Sequence, residues 1–330
     1  MYRPKSKTRK DFPMAPEIYR LPGFFRVDER GRSDIGISCK DCDSIPKVRN
    51  AGKIKKVGSA EYQIMHNGLL VERHGYNGEM IERIIADLKG HHEPQEERVF
   101  FEILKKVRDD ANMIEHGSFW AFYSMWFMKD KDKRSSFCFE PSMANLCVGQ
   151  RNAEVNNIKL NFRQAASGSN YSKTSFIPEN SEDNKPIEVD IIPVDKTVQD
   201  EKIDYLDILH LDVQGVELES LVGAQETIQS GKLRFLVLST HHHTITGDPL
   251  THQKCLKFIE ENKGTIIAEH TIPESFSGDG LIVASFSPDD KDFSVEISYN
   301  RASNCIYRST EEDLANLSVF YEDIRGRKKH

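Results

Sequence analysis

The sequence predicts an α/β fold: a seven-stranded, mostly parallel sheet flanked by helices and preceded by an N-terminal extension. In segment 205–241 an apolar run, a polar turn, an amphipathic stretch and a second apolar run follow one another, which is typical of a βαβ unit with parallel strands. Strand and helix patterns alternate in the same way from residue 111 onward. The length of 330 residues suits two domains, or one large α/β domain with an extension.

The first 110 residues are predicted to precede the main domain. Residues 1–60 have little periodicity and are expected to form an irregular basic arm with short strands at most. The CxxC motif of Cys39 and Cys42 has no second half at zinc spacing, so ordinary thiols are favoured over a metal or redox role. Residues 61–110 are expected to form a helical extension, because apolar positions over 79–88 share one helical face.

A second helix of this extension is predicted to begin at Pro94, and Gly90 is expected to end the first. Glu96 and Glu97 follow the proline, where carboxylates complement the helix dipole, so a capping role is favoured for both. The residues His91, His92 and Glu93 precede the helix and are free to line an active site.

The domain over 111–290 is predicted to contain the sheet, and 291–330 to form a C-terminal tail. Seven strands are expected, with the last two antiparallel, over 113–116, 137–140, 158–165, 205–211, 232–240, 265–269 and 281–286. Helices are expected over 121–128, 142–156 and 253–262, with a short one after Asp195. A polar insertion over 166–186 is predicted to form a flap, and 187–194 an extra strand.

Composition and charge narrow the classes of function. An apolar content of 38% with a mean hydropathy of −0.55 suits a globular protein. The longest strongly apolar stretch, 119–128, is far shorter than the ~20 residues of a membrane span. No signal peptide is recognisable, and the six cysteines form no disulfide framework, so a cytoplasmic protein with reduced thiols is expected. The net charge of −7 argues against a nucleic-acid binder, although both chain ends are basic. Frayed, solubilising tails are favoured for these ends over an anionic partner.

Functional residues are expected where parallel strands end, because ligands of such sheets bind at the carboxyl ends of the strands. Asp212 follows one strand and His241 follows the next, so both are predicted to face one crevice. Glu140 ends an earlier strand, 23 residues beyond Gly117, which is close to the spacing of a nucleoside site. The turn holds one glycine rather than the three of a dinucleotide site, so a nucleoside without a diphosphate, such as S-adenosylmethionine, fits better.

Aromatic residues follow the same turn. Phe119, Trp120 and Tyr123 could face a sulfonium through cation–π attraction. Trp126 and Phe127 are instead expected to pack the helix on the sheet, and both roles remain open for Trp120.

Three stretches carry a family resemblance: Ile114-Glu115-His-Gly117-Ser-Phe-Trp120-Ala-Phe-Tyr123-Ser124, Phe139-Glu140-Pro141-Ser142, and Leu209-His-Leu-Asp212-Val-Gln214-Gly215-Val-Glu217 with Gly223-Ala224. They resemble the FkbM family of S-adenosylmethionine-dependent methyltransferases over about residues 90–290. The resemblance implies a class I methyltransferase (Rossmann-like) fold and O-methylation of a hydroxyl, often on a sugar or glycan or on a secondary metabolite. It implies that S-adenosylmethionine is bound by Glu115, Gly117, Ser118, Trp120, Glu140, Ala165 and Asp212. Ala121 stands where relatives commonly have the second glycine of the turn.

His241 is expected to be the base that removes the hydroxyl proton, with Asp212 orienting substrate or cofactor. His242 and His243 compete for the role, and a loop with solvated imidazoles is the alternative for all three. Asp212 and His241 could instead hold a divalent metal, although two ligands are too few to assert one.

Three other functions stay open: a related fold that only binds the cofactor, a nucleotide-linked dehydrogenase and a nucleic-acid methyltransferase. The single-glycine turn counts against the second, and the acidic net charge against the third. The expected partner is a small-molecule or glycan substrate. Segments 61–93, 166–186 and 241–252 are expected to select the acceptor. The sequence predicts neither the identity of this acceptor nor the oligomeric state of the protein.

Overall fold

The computed structural model describes residues 29–177, 185–300 and 305–307, so the predictions for the basic chain ends fall outside the described residues. The first described element is a helix, α1, over Glu29–Ser38. The sequence indicated no helix here, because ERGRSDIGIS has few apolar positions and two glycines. Packing on the next helix holds it: Gly36 lies against Ile84, and the Arg32 guanidinium donates to the Ser277 carbonyl.

A small antiparallel sheet follows, formed by β1 (Ile54–Val57), β2 (Ala60–Ile64) and β3 (Leu70–Glu72). The predicted boundary at residue 60 falls inside this sheet, and the second predicted segment is therefore not wholly helical. Two helices follow this small sheet, α2 over Gly78–Asp87 and α3 over Pro94–Leu104, as the apolar periodicity predicted. Gly90 ends the first of them with a φ of +92°.

The seven-stranded sheet lies beyond these elements. Its strands are β4 (Asn112–His116), β5 (Ser135–Phe139), β6 (Asn161–Arg163), β10 (Leu206–Leu211), β11 (Leu233–Thr240), β12 (Thr265–His270) and β13 (Gly280–Ser285). They are arranged in the order β12-β13-β11-β10-β4-β5-β6. Only β13 runs against its two neighbours, so the predicted antiparallel pairing of the last two strands is confirmed. This order, with a single reversed strand next to one edge, is the class I methyltransferase arrangement that the resemblance implied.

Helices connect these strands: α4 (Phe122–Met128), α5 (Met143–Val155), α6 (Val194–Asp200), α7 (Glu217–Val222), α8 (Gln225–Gln229), α9 (His243–Thr246) and α10 (Thr251–Glu261). Among the described residues no helix combines the length and apolar character needed to cross a membrane.

A second small sheet contains the predicted flap. It consists of β7 (Ala165–Ala166), β8 (Ser172–Phe176) and β9 (Ile187–Ile191), in the order β7-β9-β8. The single strand predicted over 158–165 is therefore divided, because the chain leaves the large sheet after Arg163. The extra strand predicted over 187–194 exists, but it pairs here rather than in the large sheet.

Apolar side chains cover both faces of the large sheet. Ile208 and Phe235 belong to the core that packs against α3 and α4, whereas Leu209 and Leu236 belong to the core on the opposite face. All six residues of β10 are buried, as expected for a central parallel strand. Such burial holds the strand ends in fixed positions, and the site lies at those ends.

Candidate active site

The predicted site residues meet at one edge of the large sheet. His116, the last residue of β4, pairs with Phe139 of β5 and with Leu211 of β10. The residues that follow these three partners, Gly117, Glu140 and Asp212, are consequently neighbours. The strand alternation predicted this meeting, and the register shows it.

The turn after β4 requires glycine at its first position. Gly117 has a φ of +79°, and a Cβ there would lie 1.7 Å from the Asp212 carbonyl oxygen. Phe119 (φ +38°) and Ala121 (φ +59°) also adopt left-handed backbone, which is costly for residues other than glycine. The turn is fixed by the amides of Gly117 and Ser118, which both donate to the Phe139 carbonyl. Backbone held in this way is common at ligand sites.

Glu140 lies directly beside this turn. Its carboxylate accepts hydrogen bonds from the amides of Ser142 (2.8 Å) and Phe119 (3.3 Å). Burial raises the pKa of the Glu140 carboxyl to about 7, against the lowering effect of those bonds. The Ser118 hydroxyl is buried nearby and has no partner among the described residues. A carboxylate and an unpaired hydroxyl at a tight turn suit the ribose end of a nucleoside.

Two other predicted cofactor ligands have structural contacts. The Glu115 carboxylate accepts from the amide of Ser124 in the first turn of α4, where the N-cap residue Ala121 supplies no capping side chain. Burial raises the pKa of the Glu115 carboxyl to about 7. Ala165 is buried and pairs through its backbone with Asp190. Cofactor binding by these two residues stays a prediction.

Trp120 belongs to an aromatic cluster next to the turn. Its indole stacks on Tyr76 with ring centroids 4.6 Å apart, and His92 meets it edge-on at 4.7 Å. Trp126 and Phe127 are buried in the core, as predicted. The indole of Trp120 is thus packed against Tyr76 and His92, and its predicted contact with the cofactor stays a prediction.

His241, at the end of β11, lies among three carboxylates. Its Nδ1 is 2.6 Å from Glu217 Oε1, and its Nε2 is 3.1 Å from Asp212 Oδ1. Asp279, which precedes β13, places Oδ1 3.7 Å from the same Nε2. His241 and Glu217 are buried, whereas Asp212 is partly exposed. The structure thus brings Asp212 and His241 together, as predicted.

The carboxylates control the charge of this histidine. Burial alone would lower the pKa of His241, but Asp279, Asp212 and Glu217 raise it well above its ordinary value. Burial also raises the pKa of Asp279 to about 6, while His241 acts in the opposite direction. At neutral pH His241 is therefore an imidazolium between carboxylates, and it becomes a base once Nε2 loses its proton.

The neighbouring histidines make different contacts. The ring of His242 stacks on Tyr307 at 4.2 Å, and its Nδ1 lies 3.0 Å from the Thr244 hydroxyl. His243 opens α9 and contacts the ring of His242 at 3.9 Å. The prediction of a solvated loop is wrong for His241 and His242, which are both buried. Of the three, His241 is the one that contacts Asp212.

The segment before α3 also contributes to this region. Glu93 accepts a hydrogen bond from the Tyr123 hydroxyl at 3.1 Å, and it lines a small pocket together with Asp279. Burial would lower the pKa of His92, but Glu93 and Glu97 raise it to about 10. The prediction that this segment can line the site therefore agrees with the positions of Glu93 and His92, whereas His91 turns toward Glu97.

The capping prediction holds for one of the two glutamates in α3. Glu97 accepts from the amides of His92 and Glu93, the N-cap residue. The prediction is wrong for Glu96, whose carboxylate lies 2.8 Å from both His210 Nε2 and the Ser239 hydroxyl. The Glu96 carboxylate contacts these buried partners on β10 and β11 instead of a backbone amide of its own helix. The local sequence could not reveal partners that are so distant along the chain.

Sequence reasoning assigned no role to Glu217 or Asp279, although Glu217 lies in one of the motifs it identified. A signal for Asp279 was present. A strand that runs antiparallel begins at the edge where its parallel neighbours end, so the residue before β13 had to lie near Asp212 and His241. No comparable spacing rule pointed to Glu217, whose side chain reaches back to the Gly215 amide.

Comparison with known proteins gives a match to the model of the methyltransferase FkbM domain over residues 108–265. No curated protein matches the sequence. Among solved structures, TrmK of M. capricolum in complex with S-adenosylhomocysteine is similar at 10% identity and a TM-score of 0.38, over 60% of this chain and 74% of that one. The methyltransferase domain of METTL16 is similar at 12% identity and a TM-score of 0.39, over 59% and 68%. Precorrin-6y C5,15-methyltransferase of Geobacter metallireducens is similar at 16% identity and a TM-score of 0.36, over 56% and 86%.

The family match includes Glu115, Gly117, Glu140, Asp212 and His241, and the order of the strands agrees with it. Residues 108–265 therefore form a methyltransferase FkbM domain, and S-adenosylmethionine is its cofactor.

Proposed function

We propose that this protein transfers the methyl group of S-adenosylmethionine to a hydroxyl of a neutral small molecule, such as a sugar, a glycan or a secondary metabolite. The observation that carries the proposal is the position of His241, whose Nε2 faces Asp212 and Asp279 at the strand ends. A hydroxyl reacts poorly with a methyl donor while it keeps its proton, and a histidine at the reacting oxygen is a suitable base.

Each residue of the site has a distinct role in the proposed reaction. The turn at Gly117 and the carboxylate of Glu140 hold the nucleoside, and Ser118 offers a further hydroxyl. Bound S-adenosylmethionine supplies an electrophilic methyl group on a positively charged sulfur. His241 Nε2 would accept the proton of the acceptor hydroxyl as that oxygen takes up the methyl group that the bound cofactor would supply. Glu217 holds the opposite nitrogen of the ring, so that Nε2 keeps its direction.

The charge of the crevice supports a neutral acceptor. Glu93, Asp212 and Asp279 are near enough to one another for Glu93 and Asp212 to raise the pKa of the Asp279 carboxyl. Phosphate groups are repelled by such a surface, and the chain as a whole carries a net charge of −7. A nucleic-acid acceptor is accordingly the weaker candidate. The positively charged sulfur of the cofactor, by contrast, is attracted to this crevice.

The test separates cofactor binding from transfer. Wild type and His241→Ala are titrated calorimetrically with S-adenosylhomocysteine, and each is then incubated with radiolabelled S-adenosylmethionine and separate pools of neutral glycans, hydroxylated metabolites and RNA. Lys257→Ala is the control, because Lys257 is exposed on α10 and lies outside the segments expected to select the acceptor. We expect label in a neutral pool, and at least a ~100-fold loss of rate in His241→Ala with cofactor binding retained.

Several outcomes contradict the proposal. Near-normal transfer by His241→Ala removes the base assignment, and label in the RNA pool alone gives a nucleic-acid methyltransferase. Cofactor binding without label in any pool indicates a binding protein, and binding of NAD in its place restores the dehydrogenase alternative.

A divalent metal is the second route to the same chemistry. Asp279 adds a third group to the Asp212 and His241 pair that the sequence indicated. A cation held by two oxygens and one nitrogen would acidify the hydroxyl directly. Loss of transfer after chelation, with recovery on addition of Mg²⁺ or Mn²⁺, would favour this route over the histidine base.

A further inference from the structure

A second cluster of chemically reactive side chains lies away from the strand ends. Cys42, in the turn after α1, His91, in the loop before α3, and Glu97, in the first turns of α3, each direct one possible ligand atom toward the others. All three atoms are within 4.8 Å of one another. Among the described residues, this is the group of three whose possible ligand atoms all lie so close together.

The cluster is fully enclosed by protein. The exposed fraction is 3% for Cys42 and 0% for both His91 and Glu97. Polar groups in such a position need hydrogen-bond partners, because an unpaired one is costly to bury. Within the cluster His91 Nδ1 lies 2.5 Å from Glu97 Oε2, while the opposite ring nitrogen, Nε2, has no hydrogen-bond partner among the described residues. The side chains are thus arranged as a polar set whose bonding capacity is not used up by the protein.

A second histidine extends the set. The ring of His66 stacks on that of His91 with centroids 4.2 Å apart, and its Nδ1 is 3.7 Å from Glu97 Oε2. That Nδ1 is buried and has no hydrogen-bond partner among the described residues. This buried nitrogen faces the Glu97 carboxylate and is available as a further ligand atom.

We propose that Cys42, His91, Glu97 and His66 bind one Zn²⁺ ion. One sulfur, two nitrogens and one oxygen form a set that zinc accepts in tetrahedral geometry, and four protein ligands close the site in the manner of a structural ion. Contacts between the groups in the metal-free protein, such as His91 Nδ1 to Glu97 Oε2 at 2.5 Å, would be replaced by bonds to the ion.

Charge and protons balance in this proposal. In the metal-free protein the Cys42 sulfur is a neutral thiol, since it donates a hydrogen bond to the Pro94 carbonyl. Zinc binds the thiolate, and its two positive charges match the thiolate and the Glu97 carboxylate. Binding of the ion as a thiolate complex would release the thiol proton to solvent, so binding should weaken as the pH falls.

The ion would join parts of the chain that are distant in sequence. Cys42 already donates to the Pro94 carbonyl at 3.2 Å, which ties the turn after α1 to the start of α3. Zinc would fix the same joint and stabilise the N-terminal segment on the main domain. The further ligands that the CxxC motif lacks at zinc spacing in the sequence would thus come from His91 and Glu97. Cys39 stays outside the proposed set.

Metal content gives the first test. The full chain is reduced, stripped with a chelator, dialysed against ZnCl₂ and measured by mass spectrometry for bound metal. We expect about one equivalent in wild type and at least a tenfold weaker affinity in Cys42→Ser and His91→Ala. Cys147→Ser is the matched control, because Cys147 is only partly buried and lies outside the cluster, and it should bind as wild type does. Equal affinity in wild type and Cys42→Ser would overturn the proposal.

A spectroscopic test on the unaltered chain avoids variants that fail to fold. Co²⁺ in place of zinc should give a thiolate-to-metal absorption band and tetrahedral d–d bands. Calorimetry with ZnCl₂ in buffers of different ionisation enthalpy should show proton release, and zinc should raise Tm. Cobalt spectra without a thiolate band, or a Cys39–Cys42 disulfide as the stable form of the purified protein, would contradict the site.

Discussion

His241 illustrates how one side chain acquires its chemistry from its neighbours. The residue type alone gives an imidazole with an ordinary pKa of about 6.5. Glu217 at 2.6 Å and Asp212 at 3.1 Å convert it into a ring that is protonated at neutral pH. As a base it must first lose that proton, so the proposed transfer should become faster as the pH rises.

Glu217 is a positioning residue in this account, because it contacts His241 and does not reach the reacting oxygen. Glu217→Gln removes one of the carboxylates that raise the pKa of His241, so the rising limb of the pH–rate profile should move to lower pH. The maximal rate should fall as the ring loses orientation. A pH–rate profile of wild type and variant measures the shift, and an unchanged midpoint would show that Glu217 does not tune His241.

His116 provides a prediction about stability. It is fully buried on Phe139 without a hydrogen-bond partner among the described residues, and burial lowers its pKa to about 3. Between about pH 6.5 and pH 3 the unfolded chain binds a proton that the folded chain does not. Each unit of acidification in this window should therefore lower the free energy of unfolding by up to about 1.4 kcal/mol through this residue.

The measurement compares urea unfolding of wild type and His116→Leu from pH 7 to pH 4. The difference between the two unfolding free energies should change in favour of the variant as the pH falls. A constant difference across this range would mean that His116 titrates normally in the folded protein.

At the scale of elements, the strands and long helices followed from the sequence because their signals are local. Apolar periodicity predicted α2 and α3, and buried apolar runs predicted the strands that end at the site. Elements that depend on distant partners were missed or misplaced. Helix α1 is held by contacts with Ile84 and Ser277, and the strand predicted over 158–165 divides because its second part pairs with β9.

Helix α4 begins after a residue in left-handed backbone. Ala121, its N-cap residue, has a φ of +59°. Ala121→Gly would relieve about 1 kcal/mol of backbone strain, but it would lose a buried methyl group and increase the entropy of the unfolded chain. These terms nearly cancel, so we expect the free energy of unfolding to change by no more than about 1 kcal/mol.

Ala153→Gly, in the regular helix α5, is the matched control for this variant. It also loses a buried methyl group and increases the entropy of the unfolded chain, but it relieves no backbone strain. It should lower the free energy of unfolding by about 1–2 kcal/mol. Chemical unfolding of both variants checks the pair, and equal losses would show that the turn stores no strain at Ala121.

For the whole molecule, the order of the strands is what brings the site together. Parallel strands β4, β5, β10 and β11 end at one edge, so Gly117, Glu140, Asp212 and His241 become neighbours although 124 positions separate the first from the last. The sequence could predict these four, because each follows a recognisable strand. It gave no role to Asp279, which enters through the reversed β13, or to Tyr76, which stacks on Trp120 from the N-terminal segment. Their positions depend on packing between distant parts of the chain.

The most direct measurement of the central claim is a crystal structure with bound S-adenosylhomocysteine. The account predicts ribose hydroxyls within hydrogen-bond distance of the Glu140 carboxylate, and the sulfur end of the ligand directed toward Asp212 and His241. A ligand bound elsewhere, or one whose sulfur points away from His241, would contradict it.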